Sequence, residues 1–174
     1  GATAWDPTAF RSLAKYVKRK GYTVVGWELG NEPDELGSHH NIGITPAVEA
    51  SDFARYAEVL KEEIGTEGYK IIGPDTALTP QHYFTPFLGN LTEGGGRLDV
   101  LDVATWHFYY GPGSSRPHGL TWHAFHNPKT LDRFLTTAQD TLSAAKTTGW
   151  LASNSGKSKE IWVGETSSTY GGGT

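Results

Sequence analysis

Val24-Val25-Gly26-Trp27-Glu28-Leu29-Gly30-Asn31-Glu32-Pro33 passes from β-branched and aromatic residues into a turn that carries a glutamate. Such a run predicts a strand over 22–29 that stops near Gly30, with Glu32 held just past its C-terminal end. The pattern recurs at Ile161-Trp162-Val163-Gly164-Glu165-Thr166-Ser167-Ser168, where a strand over 160–164 leads into Glu165. Two further strands are expected, over 69–73 and 100–109. Helical patterns lie between and before them. In the first, Asp6 is an N-cap, Pro7 suits the first helical position, and Trp5 and Phe10 occupy the two positions of a hydrophobic staple. Phe10, Leu13, Ala14 and Val17 then recur at helical spacing up to Gly21. A second helix is predicted over 51–64, with Phe53, Tyr56, Ala57, Leu60 and Ile64 on one face. In a later one Asn127 caps, Pro128 opens, and Leu131, Phe134, Leu135, Ala138 and Leu142 keep the period. Residues 34–46 read as a polar loop, 79–88 as a weakly patterned short helix, and Gly94-Gly95-Gly96 as a loop.

Strands that alternate with helices predict parallel βαβ units with right-handed crossovers, because a parallel return needs a dozen or more connecting residues. The fold class is therefore α/β. In a (β/α)8 TIM barrel the reactive groups project from the C-terminal ends of the strands, which is where both Glu32 and Glu165 are expected. A doubly wound dinucleotide-binding sheet would call for a G-x-G-x-x-G turn after its first strand, and none is present. A complete barrel typically takes about 250 residues and rarely fewer than about 200. With 174 residues and four strands, the whole chain, 1–174, reads as one partial barrel domain. Its remaining segments are expected from other parts of the same protein.

Composition narrows the function classes. With 37% hydrophobic and 20% charged residues, the chain can bury an ordinary core. A formal charge of −4 disfavours non-specific nucleic-acid binding. The basic group Arg11, Lys15, Lys18, Arg19 and Lys20 reads as a solvated helix face. Apolar runs fall well short of the roughly 18 residues that span a bilayer, so no integral membrane segment is expected. There is no cysteine. The pairs and loops of histidine, His39-His40 and His118, His123 and His126, lack carboxylate or thiolate partners at ligand spacing, so neither a metal nor any other cofactor is expected. No G-x-S-x-G elbow anchors a serine hydrolase reading.

Two carboxylates overlooking one cleft are the usual equipment for breaking a glycosidic bond. One gives a proton to the leaving oxygen, which requires partial burial or a neighbouring negative charge to keep it protonated; the other stays ionised and attacks. Several longer stretches sharpen this reading. Trp27-Glu28-Leu29-Gly30-Asn31-Glu32-Pro33, Ile72-Gly73-Pro74-Asp75, Thr105-Trp106-His107-Phe108-Tyr109-Tyr110 and Gly164-Glu165-Thr166-Ser167-Ser168-Thr169-Tyr170-Gly171-Gly172-Gly173 together resemble the heparanases, endo-β-glucuronidases of glycoside hydrolase family 79. The resemblance implies that the chain covers about strands 4 to 7 of the barrel. It further implies that Glu32 is the general acid/base and Glu165 the nucleophile of a retaining enzyme. Asn31, His107, Tyr109, Tyr170, Gly171 and Gly172 are implied to line the site and bind substrate, the Tyr109 hydroxyl beside the nucleophile and the glycine run at a uronic acid carboxylate. The implied partner is a glucuronate-containing polysaccharide, sulfated or not, such as heparan sulfate, and the implied location is secreted, lysosomal or extracellular. A glycan-binding protein without turnover, and a barrel glycosidase for neutral glycans, remain alternatives. By alternation Glu28 shares the strand face of Glu32, while Glu35 is expected in solvent.

Overall fold

The computed structural model describes residues 4–77, 80–93, 98–153 and 158–171. Four parallel strands form one sheet in the order β1-β2-β3-β4: Gly26–Glu28, Lys70–Thr76, Val103–Tyr109 and Glu160–Ser167. Helices connect them. The α1 helix spans Thr8–Lys20 and α2 is a short turn of Leu36–His40; α3 covers Pro46–Glu63, α4 Phe84–Glu93 and α5 Pro128–Thr147. This is an α/β architecture with parallel βα repeats, consistent with part of a TIM-like barrel.

Local chemistry sets the helix ends. Asp6 Oδ1 accepts from the backbone N and the hydroxyl of Thr8, so the start falls one residue later than the Asp6-Pro7 pattern suggests. Trp5 and Phe10 pack at 5.8 Å between ring centroids, and Gly21 closes the helix in the left-handed region at φ 68. The α3 helix begins five residues earlier than expected because Thr45 caps it through Val48 N and Pro46 opens it. The cap of α5 is as anticipated, with Asn127 Oδ1 accepting from Lys129 N. The presumed loop over 34–46 contains α2, and a 3-10 turn, Trp122–His126, precedes α5.

The first strand is the largest departure: eight residues were expected and three are paired. It lies at the edge of the sheet and pairs with β2 alone, and ahead of Gly26 the pairing is limited to the Val25 carbonyl, which accepts from Lys70 N at 2.9 Å. The last strand departs the other way. It runs on through Ser167, which places Glu165 within β4 and not beyond it.

One face of the sheet carries the core. Trp27, Ile71 and Ala104 pack against Phe53, Tyr56 and Leu60 of α3 and Phe87, Leu88 and Leu91 of α4. Each fully buried large side chain contributes about 1.5–3 kcal/mol. Farther along, Phe134 of α5 stacks on Trp106 and meets Phe108 edge-on. The opposite face holds Thr105, His107 and Tyr109 of β3 and becomes the wall of the site.

Candidate active site

Two irregularities in the sheet decide which side chains reach that wall. Between β3 and β4, Trp106 pairs with Val163 but His107 pairs with Glu165, leaving Gly164 as an extra residue. Simple alternation would have put Glu165 on the helix-facing side with Ile161 and Val163. The bulge turns it over to join His107. Between β2 and β3, Gly73 pairs with Ala104 and Thr76 with Trp106, so Pro74 and Asp75 together stand opposite Thr105. Asp75 N donates to Thr105 Oγ1 at 3.1 Å, which brings the Asp75 carboxylate onto the same wall.

Glu32 arrives by a different route. It sits in the left-handed region at φ 45, as does Asp75 at φ 54, and Glu32 N donates to the Asp75 carbonyl at 2.9 Å. Such backbone is uncommon outside glycine and is kept where surrounding bonds over-determine it. Here the bond between the two loops does so.

The side chains then converge. His107 is 3% exposed and has Nδ1 3.0 Å from Glu32 Oε1 and 3.8 Å from Glu165 Oε2, with Nε2 3.2 Å from Asp75 Oδ1. Glu32 and Glu165 each offer an oxygen within 4.8 Å of the other and of the His107 ring nitrogen. The Tyr109 hydroxyl donates to Glu165 Oε1. Glu32, His107, Tyr109 and Glu165 line a cleft of about 300 Å³ together with Glu35, Ala77 and Tyr170.

Electrostatics follow from this crowding. Burial opposes charge on His107, but Asp75 and Glu32 outweigh it and push the imidazole to about 9. Burial would lift Asp75, yet His107, Glu28 and Thr105 hold it below the usual carboxylate range. Glu28 is raised to about 7 by burial and by its hydrogen bond to Asp75. The bond to Glu165, reinforced by desolvation, pushes the Tyr109 phenol up to about 12. Glu32, His107 and Glu165 each present one ligand atom within 4.8 Å of the others, a spacing that suits a metal ion as well as a carboxylate–imidazole cluster.

Of the residues expected at the site, Glu32, Glu165, His107, Tyr109 and Tyr170 share the cleft. Both ring nitrogens of His107 face carboxylates. Asn31 is exposed and lines a smaller neighbouring cavity with Trp5, Gly30, Pro33 and Leu36. Gly171, at φ 73, lies against the Arg116 guanidinium, which also stands over the Tyr170 ring. Gly172 lies outside the described residues. Glu35, expected in solvent, instead lines the cleft and accepts from Ser38 Oγ at 2.7 Å. Asp75 was missed as a site residue. Only its place in the Gly73-Pro74-Asp75 stretch signalled it.

Carboxylates paired at the C-terminal ends of parallel strands, in an α/β fold, are the arrangement of a glycoside hydrolase domain. Residues 1–174 match the N-terminal domain of glycosyl hydrolase family 79, and the chain belongs to that family as a heparanase-like member. It is 32% identical over 169 residues to heparanase of Bos taurus, covering 97% of this chain and 28% of that protein. It is 30% identical over 173 residues to hyaluronoglucuronidase of Hirudo nipponia, covering 99% of this chain and 32% of that protein. It is also 24% identical over 172 residues to inactive heparanase-2 of Mus musculus, with 98% of this chain and 26% of that protein covered. The chain thus spans about a third or less of the length of these relatives.

Proposed function

We propose that residues 1–174 form the central arc, strands 4 to 7, of a (β/α)8 barrel in a retaining glycosidase that cleaves β-glucuronidic linkages in heparan sulfate or a related uronic-acid polysaccharide. The observation that carries this reading is the approach of Glu32 and Glu165 oxygens to within 4.8 Å across one cleft. Retention calls for carboxyl groups about 5–5.5 Å apart, whereas inversion leaves roughly 6.5–9.5 Å for a water. Glu165 attacks the anomeric carbon while Glu32 protonates the departing glycosidic oxygen. Glu32 then takes a proton from the water that releases the sugar from Glu165. The Tyr109 hydroxyl holds the attacking carboxylate in one rotamer. Tyr170, Gly171, Gly172 and Asn31 are assigned to substrate contacts, the glycine backbone meeting the uronate carboxylate.

The segment 76–86 holds neither Lys nor Arg. That supports glucuronide hydrolysis more firmly than sulfate recognition, and the hyaluronoglucuronidase relative points to an unsulfated polymer as well. Likeness to inactive heparanase-2 favours a second reading, a groove that binds glycan without turning it over. The test uses the full-length protein and its Glu165→Gln variant on an aryl β-glucuronide and an aryl β-glucoside. Glucuronide turnover that disappears in the variant supports the proposal. Binding without turnover supports the second reading, and preference for the glucoside refutes the substrate assignment.

A further inference from the structure

Beneath the paired glutamates lies a second, hidden pair. Asp75 is 3% exposed, a burial at which charged residues are seldom found without a partner. Its carboxylate does not turn to the helices behind the sheet. It faces the cleft wall, where Oδ1 lies 3.2 Å from His107 Nε2. The fold makes room for it there, since a Cβ on Gly164 would run into that same oxygen. Its backbone is fixed on both sides, by Thr105 Oγ1 at its N–H and by Glu32 N at its carbonyl.

We propose that Asp75 is a positioning residue for the reaction proposed above: by holding its Oδ1 in an ion pair with His107 Nε2 it fixes the imidazole so that Nδ1 is presented to Glu32 and, across the cleft, to Glu165. The inference rests on the glycosidase reading only for its consequence, since the chain of contacts stands without it. An unanchored imidazole could rotate or carry its single proton on the other nitrogen, and Nδ1 would then meet Glu32 as an acceptor that competes with the leaving oxygen for its proton. Every titratable group around the ring takes part. Glu28 on β1 reaches Asp75 from below, Glu32 and Asp75 flank the ring from the ends of β1 and β2, Tyr109 neighbours it on β3, and Glu165 closes the far side on β4. The backbone bonds to Thr105 and Glu32 would form whatever side chain stood at position 75, whereas the approach to His107 needs the carboxylate.

The experiment follows the His107 imidazole by nitrogen-resolved NMR across pH in the full-length protein and in its Asp75→Asn variant, with turnover of an aryl β-glucuronide measured on both. The wild-type ring should keep protons on both nitrogens to about pH 9. In Asp75→Asn the midpoint should fall by about one pH unit or more, and kcat by about 10- to 100-fold at nearly unchanged KM. A ring that is neutral at pH 7 in the wild type overturns the proposal without need of any variant. So does a folded Asp75→Asn variant whose titration and kcat match the wild type. Absence of wild-type turnover refutes the glycosidase reading instead, and the titration still decides whether Asp75 positions His107.

Discussion

At His107 one imidazole is shared by three acidic side chains, and its burial makes that sharing consequential. Water would screen such a cluster, but a ring 3% exposed interacts with its neighbours at a much lower effective dielectric. A second buried acid behaves differently. Glu49, 5% exposed in α3, has no cation paired with it among the described residues, and burial together with the nearby carboxylates of Asp34, Asp52 and Asp75 outweighs the influence of the neighbouring Tyr83 hydroxyl and raises it to about 8. A carboxyl whose folded value exceeds its unfolded one binds protons more tightly in the native state. Its contribution is therefore complete below about pH 4.5 and is lost as pH climbs to about 8. Glu49→Gln should flatten that decline. Urea unfolding at pH 5 and pH 8 should show a wild-type loss of a few kcal/mol that largely vanishes in the variant. Equal slopes in both proteins would disprove the assignment.

The elements show which parts of the molecule were legible in the chain. Helices with a cap and a long apolar face were readable: Asn127-Pro128 opened α5 where expected, and Gly21 closed α1. Asn127→Ala should accordingly cost about 1 kcal/mol, seen as a lower denaturant midpoint at unchanged slope. Strand bounds were less readable, because pairing partners decide them. Three residues of β1 are paired, and β4 outruns its apolar core by the length of its match to β3. The orientation of the site was the least legible part. Period-two alternation assigns Glu165 to the wrong face, and the correction depends on Gly164 being accommodated as an unpaired residue. The motif singled out both glutamates for a reason other than alternation, and the fold brings them to one cleft. Asp75 escaped notice for the same cause: its neighbours are set by a shift of register between β2 and β3 that no local pattern announces.

Across the whole molecule, the sheet has two open edges among the described residues, since β1 pairs only with β2 and β4 only with β3. Apolar side chains line both flanks, with Val25 70% and Tyr22 58% exposed at one and Leu135 59% and Leu131 47% at the other. Open edges and contiguous apolar surface favour association. The 174-residue chain on its own should elute above its monomer mass and bind a hydrophobic dye, whereas a longer version supplying the neighbouring barrel strands should do neither. A monodisperse, dye-silent 174-residue monomer would contradict the partial-barrel reading. The cleft itself is less even than its pairing of acids implies. Glu32 is tied by its own main chain to the end of β2, whereas Glu165 is 46% exposed on the outermost strand. The vice therefore has one jaw set by its main chain and one set by the Tyr109 hydroxyl. The gap between them is thus set by backbone on one side and by a single phenol on the other.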